Sequence, residues 1–347
     1  MELRKKAVRL RNPSAEICGD LVAPDMSQIT ILISSAGRRV ELMKCFRSDA
    51  ETLGVRLRIV ALDAEPELSA ACHFADASYR PPACLHSEFL PFVEDVVRRE
   101  SVSLIVPTID PELAAYSRNA ERFTLLGATV NISAPGVVAV ARDKLATAKV
   151  LGESGVAVPR TLPLEAALRN PEAWLGPVIV KPVDGSSSVG IQRLQDIREV
   201  ETKGLEAGRY VVQELLQGIE YTVNMFVDSS GCAACAVPHR RIAIRGGEVS
   251  KGRTERVAAL RGIADRIAAV LDGSRGAICF QAIVDARGIP AVIEINARFG
   301  GGYPLAHAAG ARFSQWLLEA VLGRPCSASD DWREGLTMLR YDASVFR

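Results

Sequence analysis

No apolar run in this 347-residue chain approaches the roughly 20 residues needed to cross a bilayer. An excess of charge of one sign is also missing. There are 42 Lys and Arg against 41 Asp and Glu, for a formal net charge of +1. With no Lys/Arg run interleaved with aromatics, that balance argues against a nucleic-acid-binding stripe. Residues 1–26 contain no apolar stretch of about 7–15 residues, so no secretory signal is read there. The eight cysteines include a single CxxC, Cys232-Ala-Ala-Cys235. A zinc site needs a second pair at matching spacing, and an odd separation in a strand puts these two on opposite faces, so neither metal nor redox chemistry is expected of them. Reduced thiols in a cytoplasm are the simplest reading.

What is present is apolar content. At 48% hydrophobic residues the chain can bury a sizeable core, and its length suits two or three domains. Residues 1–27 differ from the rest: Arg4, Lys5, Lys6, Arg9 and Arg11 form a basic start without apolar periodicity. They are expected to be a disordered leader, or an over-long start before Met26. From Ile29 strands and helices alternate. Ile29–Ile33, Val55–Leu62, Leu104–Val106 and Val130–Ile132 read as strands. Between them, Val40, Met43, Phe46, Ala50 and Leu53 form one helical face, and Phe89, Val93, Val96 and Val97 another, with Ser87 as its cap. Asp110 and Pro111 fit the N-cap and first position of a further helix. The pattern predicts a parallel sheet covered on both faces, a Rossmann-like unit over residues 28–139.

That unit lacks the dinucleotide fingerprint, since Ser34-Ser35-Ala36-Gly37-Arg38-Arg39 is not GxGxxG and Asp63 alone means little. The loops at the carboxyl ends of its strands should still face a ligand crevice. Gly37, Arg38, Thr108, Asp110 and Glu112 are therefore candidates for holding a substrate, with capping as the competing role, above all for Asp110.

Asp143-Lys144 opens a helix with Leu145, Ala148 and Leu151 inward. Beyond it the texture changes to short strands, glycines and hairpins up to about Gly302. The last helix, with Phe313, Trp316, Leu317, Ala320 and Val321, has a core face. Val178–Pro182 is a buried strand carrying Lys181. The segment after it, Asp184-Gly185-Ser186-Ser187-Ser188-Val189-Gly190, has glycines that let backbone N–H groups turn toward an anion and serines that add hydroxyl donors. Ile191-Gln192 follows instead of Lys-Ser/Thr, so this is not a Walker A loop.

A sharper signal lies in Ile278–Ile283 and Ala291–Ile295, apolar strands flanking Asp285-Ala286-Arg287-Gly288. A two-residue turn at Arg287-Gly288 would place Gln281 opposite Glu294 and Cys279 opposite Asn296. Ile293 and Ile295 would then face the core, and Gln281, Glu294 and Asn296 the other side. One carboxylate with two amides is an all-oxygen set suited to Mg²⁺, completed by nucleotide phosphates. Arg298 stands two residues further on, before the glycine run Gly300-Gly301-Gly302, which would let a substrate approach the backbone. Between these motifs, Gln213-Glu214-Leu215-Leu216 can offer backbone groups to an adenine edge, and Glu220 can accept from ribose hydroxyls. Arg240, Arg241, Arg245, Lys251 and Arg253 surround a Gly246-Gly247 turn and read as a solvated face, from which Arg241 is kept as a substrate-contact candidate.

Taken in order, Lys144, Lys181-Pro182, the Gly185–Gly190 loop, Gln213–Leu216, Glu220 and Gln281…Glu294-Ile295-Asn296-Ala297-Arg298 resemble the ATP-grasp superfamily, nearest its carbamoyl-phosphate-synthase large-chain-like branch. The resemblance spans about residues 29–325. It implies a pre-ATP-grasp domain followed by a two-lobed α+β grasp domain over 140–326, divided near 215, and a C-terminal tail over 327–347. It also implies residue roles. Lys144 and Lys181 would contact the nucleotide phosphates, with Lys181 near the adenine. Gly185, Ser186, Ser187, Ser188 and Gly190 would close over them. Glu214 and Leu216 would read the adenine and Glu220 the ribose. Gln281, Glu294 and Asn296 would hold Mg²⁺ or Mn²⁺, and Arg298 would stabilise the transferring phosphoryl group, with Lys181 assisting. Substrate would meet Gly37, Arg38, Thr108, Asp110, Glu112, Arg241, Arg298, Gly301 and Gly302.

Members of that family activate a carboxylate or bicarbonate as an acyl phosphate, which an amine attacks. The chain is too short for two tandem grasp units and shows no repeat. A stand-alone carboxylate–amine ligase using ATP and acting on an amino acid or similar small carboxylate is the resulting expectation, as in D-alanine–D-alanine ligase or the pyrrolysine-pathway ligase. The competing readings are a bicarbonate-activating, carbamoyl-phosphate-synthase-like enzyme and a non-catalytic ATP-binding protein. No nucleic-acid or membrane partner is expected; a homodimer is compatible with the sequence.

Overall fold

The structure is a computed structural model and describes residues 28–183, 190–205 and 207–346. The expected leader (1–27) and the segment 184–189 lie outside the described residues. The chain begins with β1 (Gln28–Ser34), α1 (Val40–Leu53), β2 (Arg56–Leu62), α2 (Ala70–Phe74) and β3 (Ala77–Tyr79). It continues through α3 (Phe89–Glu100), β4 (Leu104–Pro107), α4 (Asp110–Arg118), α5 (Ala120–Thr124) and β5 (Thr129–Val130). The five strands form one parallel sheet in the order β3-β2-β1-β4-β5. Residues 29–34 of β1 are all buried, as a strand covered on both faces requires. On one face α1 packs through Met43, Phe46 and Ala50; on the other, α3 packs through Phe89, Val93, Val96 and Val97. The strand order reverses between β1 and β4, which opens a crevice at their carboxyl ends.

Two local expectations are corrected. Ser87 caps nothing: α3 starts at Phe89 with Glu88 at its N-cap position. Asp110 is the first residue of α4, and Glu112 turns back instead to accept from the amides of Thr108 (2.7 Å) and Ile109 (3.2 Å).

After α6 (Pro135–Arg142), Asp143 caps α7 (Lys144–Glu153) by accepting from the amides of Leu145 and Ala146. A small antiparallel sheet, in the order β6-β9-β7-β8, is built from β6 (Thr161–Pro163), β7 (Val178–Pro182), β8 (Gln192–Leu194) and β9 (Tyr210–Glu214), with α8 (Leu164–Leu168) against it. The larger sheet is also antiparallel, in the order β14-β13-β10-β11-β12-β15. Its strands are β10 (Ile219–Val227), β11 (Ala233–Arg245), β12 (Glu248–Thr254), β13 (Gly276–Val284), β14 (Pro290–Asn296) and β15 (Thr337–Leu339). α9 (Ala258–Val270) and α7 cover one face of it. α10 (Tyr303–Ala308) and α11 (Phe313–Val321) run between this sheet and α1, closing the first core.

The segment expected as a tail is part of the body. Trp332 is buried in the first core, and β15 pairs with β12. Cys232 is exposed in the turn before β11 while Cys235 is buried within it, so the CxxC does not converge. No helix among the described residues is long and apolar enough to cross a membrane.

Candidate active site

The expected pairing of Gln281 with Glu294 and Cys279 with Asn296 is present, but it is reached by a different route. The loop is longer than a two-residue turn: Asp285 donates its amide to the carbonyl of Ile289, and Gly288 sits at φ 82°. Past it, Val284 pairs with Pro290 and Ala282 with Val292, one step away from the expected register. A bulge between Gln281 and Ala282 then restores it. The extra residue is Ile293. Val292 enters the core beside Ile295, and Ile293 turns to the opposite side, where it lines the cleft.

That cleft has a volume of about 540 Å³ and runs between the two sheets of the C-terminal half and the crevice of the parallel sheet. Lys181, Gly218, Gln281, Ile293, Glu294 and Asn296 line its inner part. Asn296 Nδ2 donates to Glu294 Oε1 (3.1 Å), and Asn296 Oδ1 accepts from Arg298 (3.2 Å). Arg298 also donates to Asp110 Oδ2 at 2.6 Å, across to α4. Its Nε is buried and finds no hydrogen-bond partner among the described residues, a cost a folded chain avoids unless the donor serves a ligand.

Lys181 is only 5% exposed and donates to Gln213 Oε1 (2.8 Å), whose amide nitrogen in turn donates to Thr161. Burial pulls the Lys181 ammonium down to about 8, with Glu294 opposing the shift and Lys144 adding to it. Lys144 lies close by, donating to the carbonyl of Val183 (3.2 Å). Glu214, the last residue of β9, and Leu216, in the connection after it, line the cleft; in that connection Gly218 (φ 153°) has no space for a Cβ, which would lie 2.2 Å from Val284 O. Glu220 is paired with Arg241, Nε to Oε1 at 2.8 Å. Arg241 is therefore not on a solvated face, since its side chain is 7% exposed and also donates to Thr222 and to Gly247 O. Gly190 lies just past the described gap at φ 73°; Gly185, Ser186, Ser187 and Ser188 fall within it.

Three substrate candidates do not line the cleft, and two of them, Thr108 and Glu112, are buried. Glu112 is fully buried and accepts from Ser34, Ser35, Thr108 and Ile109, while the Thr108 hydroxyl donates to the carbonyls of Ser34 and Ser35. The Gly37 amide is taken by Asp63 (2.7 Å). These groups tie β1 to its neighbours, while Arg38 and the overlooked Arg39 face the cleft. The glycine run also has a role not foreseen. A Cβ on Gly300 would lie 2.9 Å from Cys279 Sγ, on Gly301 2.5 Å from the Glu248 carboxyl carbon, and on Gly302 2.5 Å from His239 Nε2. The glycines let this loop lie flat on the sheet. Gln213 and Cys279, read from the sequence only as part of the adenine segment and as the residue opposite Asn296, line the cleft as well, as does Glu248, which carries no distinguishing sequence signal.

Residues 141–302 match the family model of an ATP-grasp domain, and residues 31–131 that of a PylC-like N-terminal domain. The chain belongs to the ATP-grasp superfamily. It is an ATP-grasp enzyme with a single grasp unit. Its fold is similar to that of the biotin carboxylase domain of Hydrogenobacter thermophilus 2-oxoglutarate carboxylase, solved with MgADP, ADP and bicarbonate. The two share 18% identity and a TM-score of 0.69 over 89% of this chain and 73% of that one. It is also similar to the L-amino acid ligase from Bacillus licheniformis (19%, TM-score 0.66, 89% and 78%) and to N5-carboxyaminoimidazole synthetase from Staphylococcus aureus (15%, TM-score 0.64, 88% and 80%). No curated protein matches the chain.

Among the described residues no three His, Cys, Asp or Glu side chains converge as a metal cage. The grasp residues fit a different kind of site. A single carboxylate with amide oxygens suits Mg²⁺ that keeps its remaining ligands from phosphate, and the orphaned Arg298 Nε beside them suits an anion.

Proposed function

We propose that the chain is an ATP-dependent carboxylate–amine ligase acting on an amino acid or similar small carboxylate. The observation that carries this reading is the make-up of one cleft. Its inner part gathers two lysines, Gln281, Glu294, Asn296 and Arg298, and its far end is lined by Arg38 and Arg39 from the loop after β1 and by Glu248 from β12. A nucleotide alone would need only the first group.

In the reaction, a substrate carboxylate oxygen attacks the γ-phosphorus of ATP and ADP leaves. An amine then attacks the acyl carbon, loses its proton, and phosphate leaves. Phosphoryl transfer needs alignment and charge neutralisation more than a general base. Lys144 and Lys181 hold the phosphates, Glu214 and Leu216 the adenine, and Glu220 the ribose. Arg298, fixed by Asp110, offsets charge on the transferring group. Gln281, Glu294 and Asn296 would hold Mg²⁺ or Mn²⁺, which supplies further neutralisation of the phosphate oxygens when bound.

The deciding experiment measures ADP release and hydroxamate trapping over a panel of amino acids. If no carboxylate stimulates either signal while the folded protein binds Mg-ATP, the ligase reading fails. ADP formation that depends on bicarbonate alone would replace it with the carboxylase-like reading.

Two further outcomes are expected. Glu294→Ala should lower turnover at least about a hundredfold, the scale of a lost metal contact, with little loss of fold, because the side chain faces the cleft. Full activity in that variant would show the metal to be elsewhere. Lys181 binds phosphate only as the ammonium. Mg-ATP affinity should therefore be flat below about pH 8 and fall above it, by up to about tenfold per pH unit. Calorimetry from pH 6.5 to 9.5 reads this, and Lys181→Met should bind weakly at every pH and lose the dependence.

A further inference from the structure

The far end of the cleft holds a charge arrangement that the nucleotide does not use. Glu248 follows the two-residue turn Gly246-Gly247, whose members both take the left-handed backbone (φ 58° and 78°) that such hairpins require. Its two carboxylate oxygens are taken by different arginines. Arg39, from the loop after β1, lies 3.3 Å from Oε1, and Arg340, from the segment after β15, lies 2.8 Å from Oε2. Burial works against the charge on Glu248, but Arg39, Arg340 and Arg38 outweigh it and hold the carboxyl below its usual range. Two guanidinium groups thus contact one carboxylate, and Arg38 lines the same end of the cleft, so the corner carries more positive than negative charge. Joining the loop after β1 and the segment after β15 to β12 accounts for Arg39 and Arg340; Arg38 is a cation beyond that need.

The corner is also open. The side chain of Glu248 is 33% exposed, and those of Arg39 and Arg340 are 18% and 26% exposed. Gly301 packs directly on the Glu248 carboxyl: a Cβ there would lie 2.5 Å from its carboxyl carbon, so any side chain at 301 would crowd the corner. An α-amino acid carries an ammonium and a carboxylate on one carbon. Its recognition needs a carboxylate acceptor side by side with guanidinium donors.

We infer that the Arg38–Arg39–Glu248–Arg340 corner holds the α-ammonium and α-carboxylate of a free amino acid, so that at least one substrate of the enzyme is an α-amino acid. This rests on the ligase reading of the cleft and narrows it. Bicarbonate and simple carboxylic acids offer no ammonium to Glu248.

The test is calorimetric titration of the full chain, with and without a non-hydrolysable Mg-ATP analogue. The probes are free α-amino acids of both hands, their N-acetyl derivatives, their α-carboxamides and the corresponding des-amino acids. At least one free amino acid should bind, and removal of its ammonium or of its carboxylate charge should weaken binding about tenfold or more, the scale of a lost charge-assisted hydrogen bond. Glu248→Gln should bind that amino acid about tenfold less well, keep its affinity for the des-amino analogue, and keep its Mg-ATP affinity. Equal binding of parent and N-acetyl or des-amino analogue overturns the inference. So does an unchanged amino-acid affinity in Glu248→Gln, or failure of every free amino acid to bind. Should that variant not fold, the wild-type analogue series decides alone. The two readings fail separately. An amino acid that binds through Glu248 yet never releases ADP removes the ligase and leaves the corner as assigned. ADP release stimulated only by des-amino acids removes the corner and leaves the ligase.

Discussion

Replacing Arg298 by alanine should lower ADP formation by about 10³–10⁵-fold, the scale of an arginine that stabilises a transferring phosphoryl group. The size of the effect follows from how the side chain is held. It is 13% exposed, and its two terminal nitrogens are occupied from behind: one by Asp110 and Asn296, the other by the carbonyl of Phe299. Only Nε is left over, buried and in the cleft wall. The guanidinium is therefore fixed before substrate arrives and needs no reorganisation during the reaction, which is where preorganised charge gains its advantage. Arg298→Lys should lose most of this as well, because an ammonium cannot hold Asp110 with one edge and present another to a phosphate. Asp110→Asn should fall between wild type and Arg298→Ala, since it weakens the support without removing the charge. Single-turnover ADP release at saturating Mg-ATP reads all three, with Mg-ATP affinity measured alongside to show that the pocket survives. Wild-type turnover in Arg298→Ala would remove this residue from the chemistry.

Much of this site was legible because its parts are local in sequence. Strand alternation alone puts Glu294 and Asn296 on one face, and hairpin arithmetic puts Gln281 opposite Glu294. The arithmetic reached the observed pairing through two offsetting one-residue errors, a longer loop at Asp285–Ile289 and a bulge at Ile293. Neither leaves a trace in the hydrophobic pattern, so strand alternation points Ile293 to the core although it lines the cleft. The parallel sheet was legible for the same reason, since its strands are short apolar runs between amphipathic helices. What was not legible is set by long-range contacts. Residues 39, 248 and 340 meet only after both halves of the chain have folded. Glu112 looked like a ligand-binding acid at a strand's carboxyl end. Only the structure shows its carboxylate surrounded by Ser34, Ser35, Thr108 and Ile109, where burial raises its pKa against those hydrogen bonds.

The joint between the two halves carries the second large effect. Asp49 on α1 is completely buried and accepts from His307 Nε2 (3.0 Å to each oxygen), from Arg312 (2.7 Å) and from Ser314. Those partners belong to α10, α11 and the loop between them, while α1 belongs to the parallel sheet. Burial raises the Asp49 pKa, but His307, Ser314 and Arg312 outweigh it and hold the carboxyl below its usual range. Asp49→Ala leaves three polar partners around an apolar methyl. Breaking a buried ion pair from one side costs about 3–5 kcal/mol, and Arg312, 38% exposed, can regain water, so about 3 kcal/mol is expected. Urea unfolding of wild type and variant measures it, and an unchanged midpoint would contradict it. A lowered folded-state pKa contributes stability above the unfolded carboxyl range that is lost as pH falls through the folded value. The gap between wild type and Asp49→Ala should therefore be full at neutral pH and narrow below about pH 4. Activity should fall too, and for a mechanical reason. The joint ties the parallel-sheet unit, which carries Asp110 at the start of α4, to α10 and α11, which follow Arg298 in the chain, so loosening it should disturb the Asp110–Arg298 contact. A loosened α1 should therefore lower turnover more than it weakens Mg-ATP binding, because the proposed nucleotide contacts lie within the grasp domain while the support for Arg298 comes from outside it.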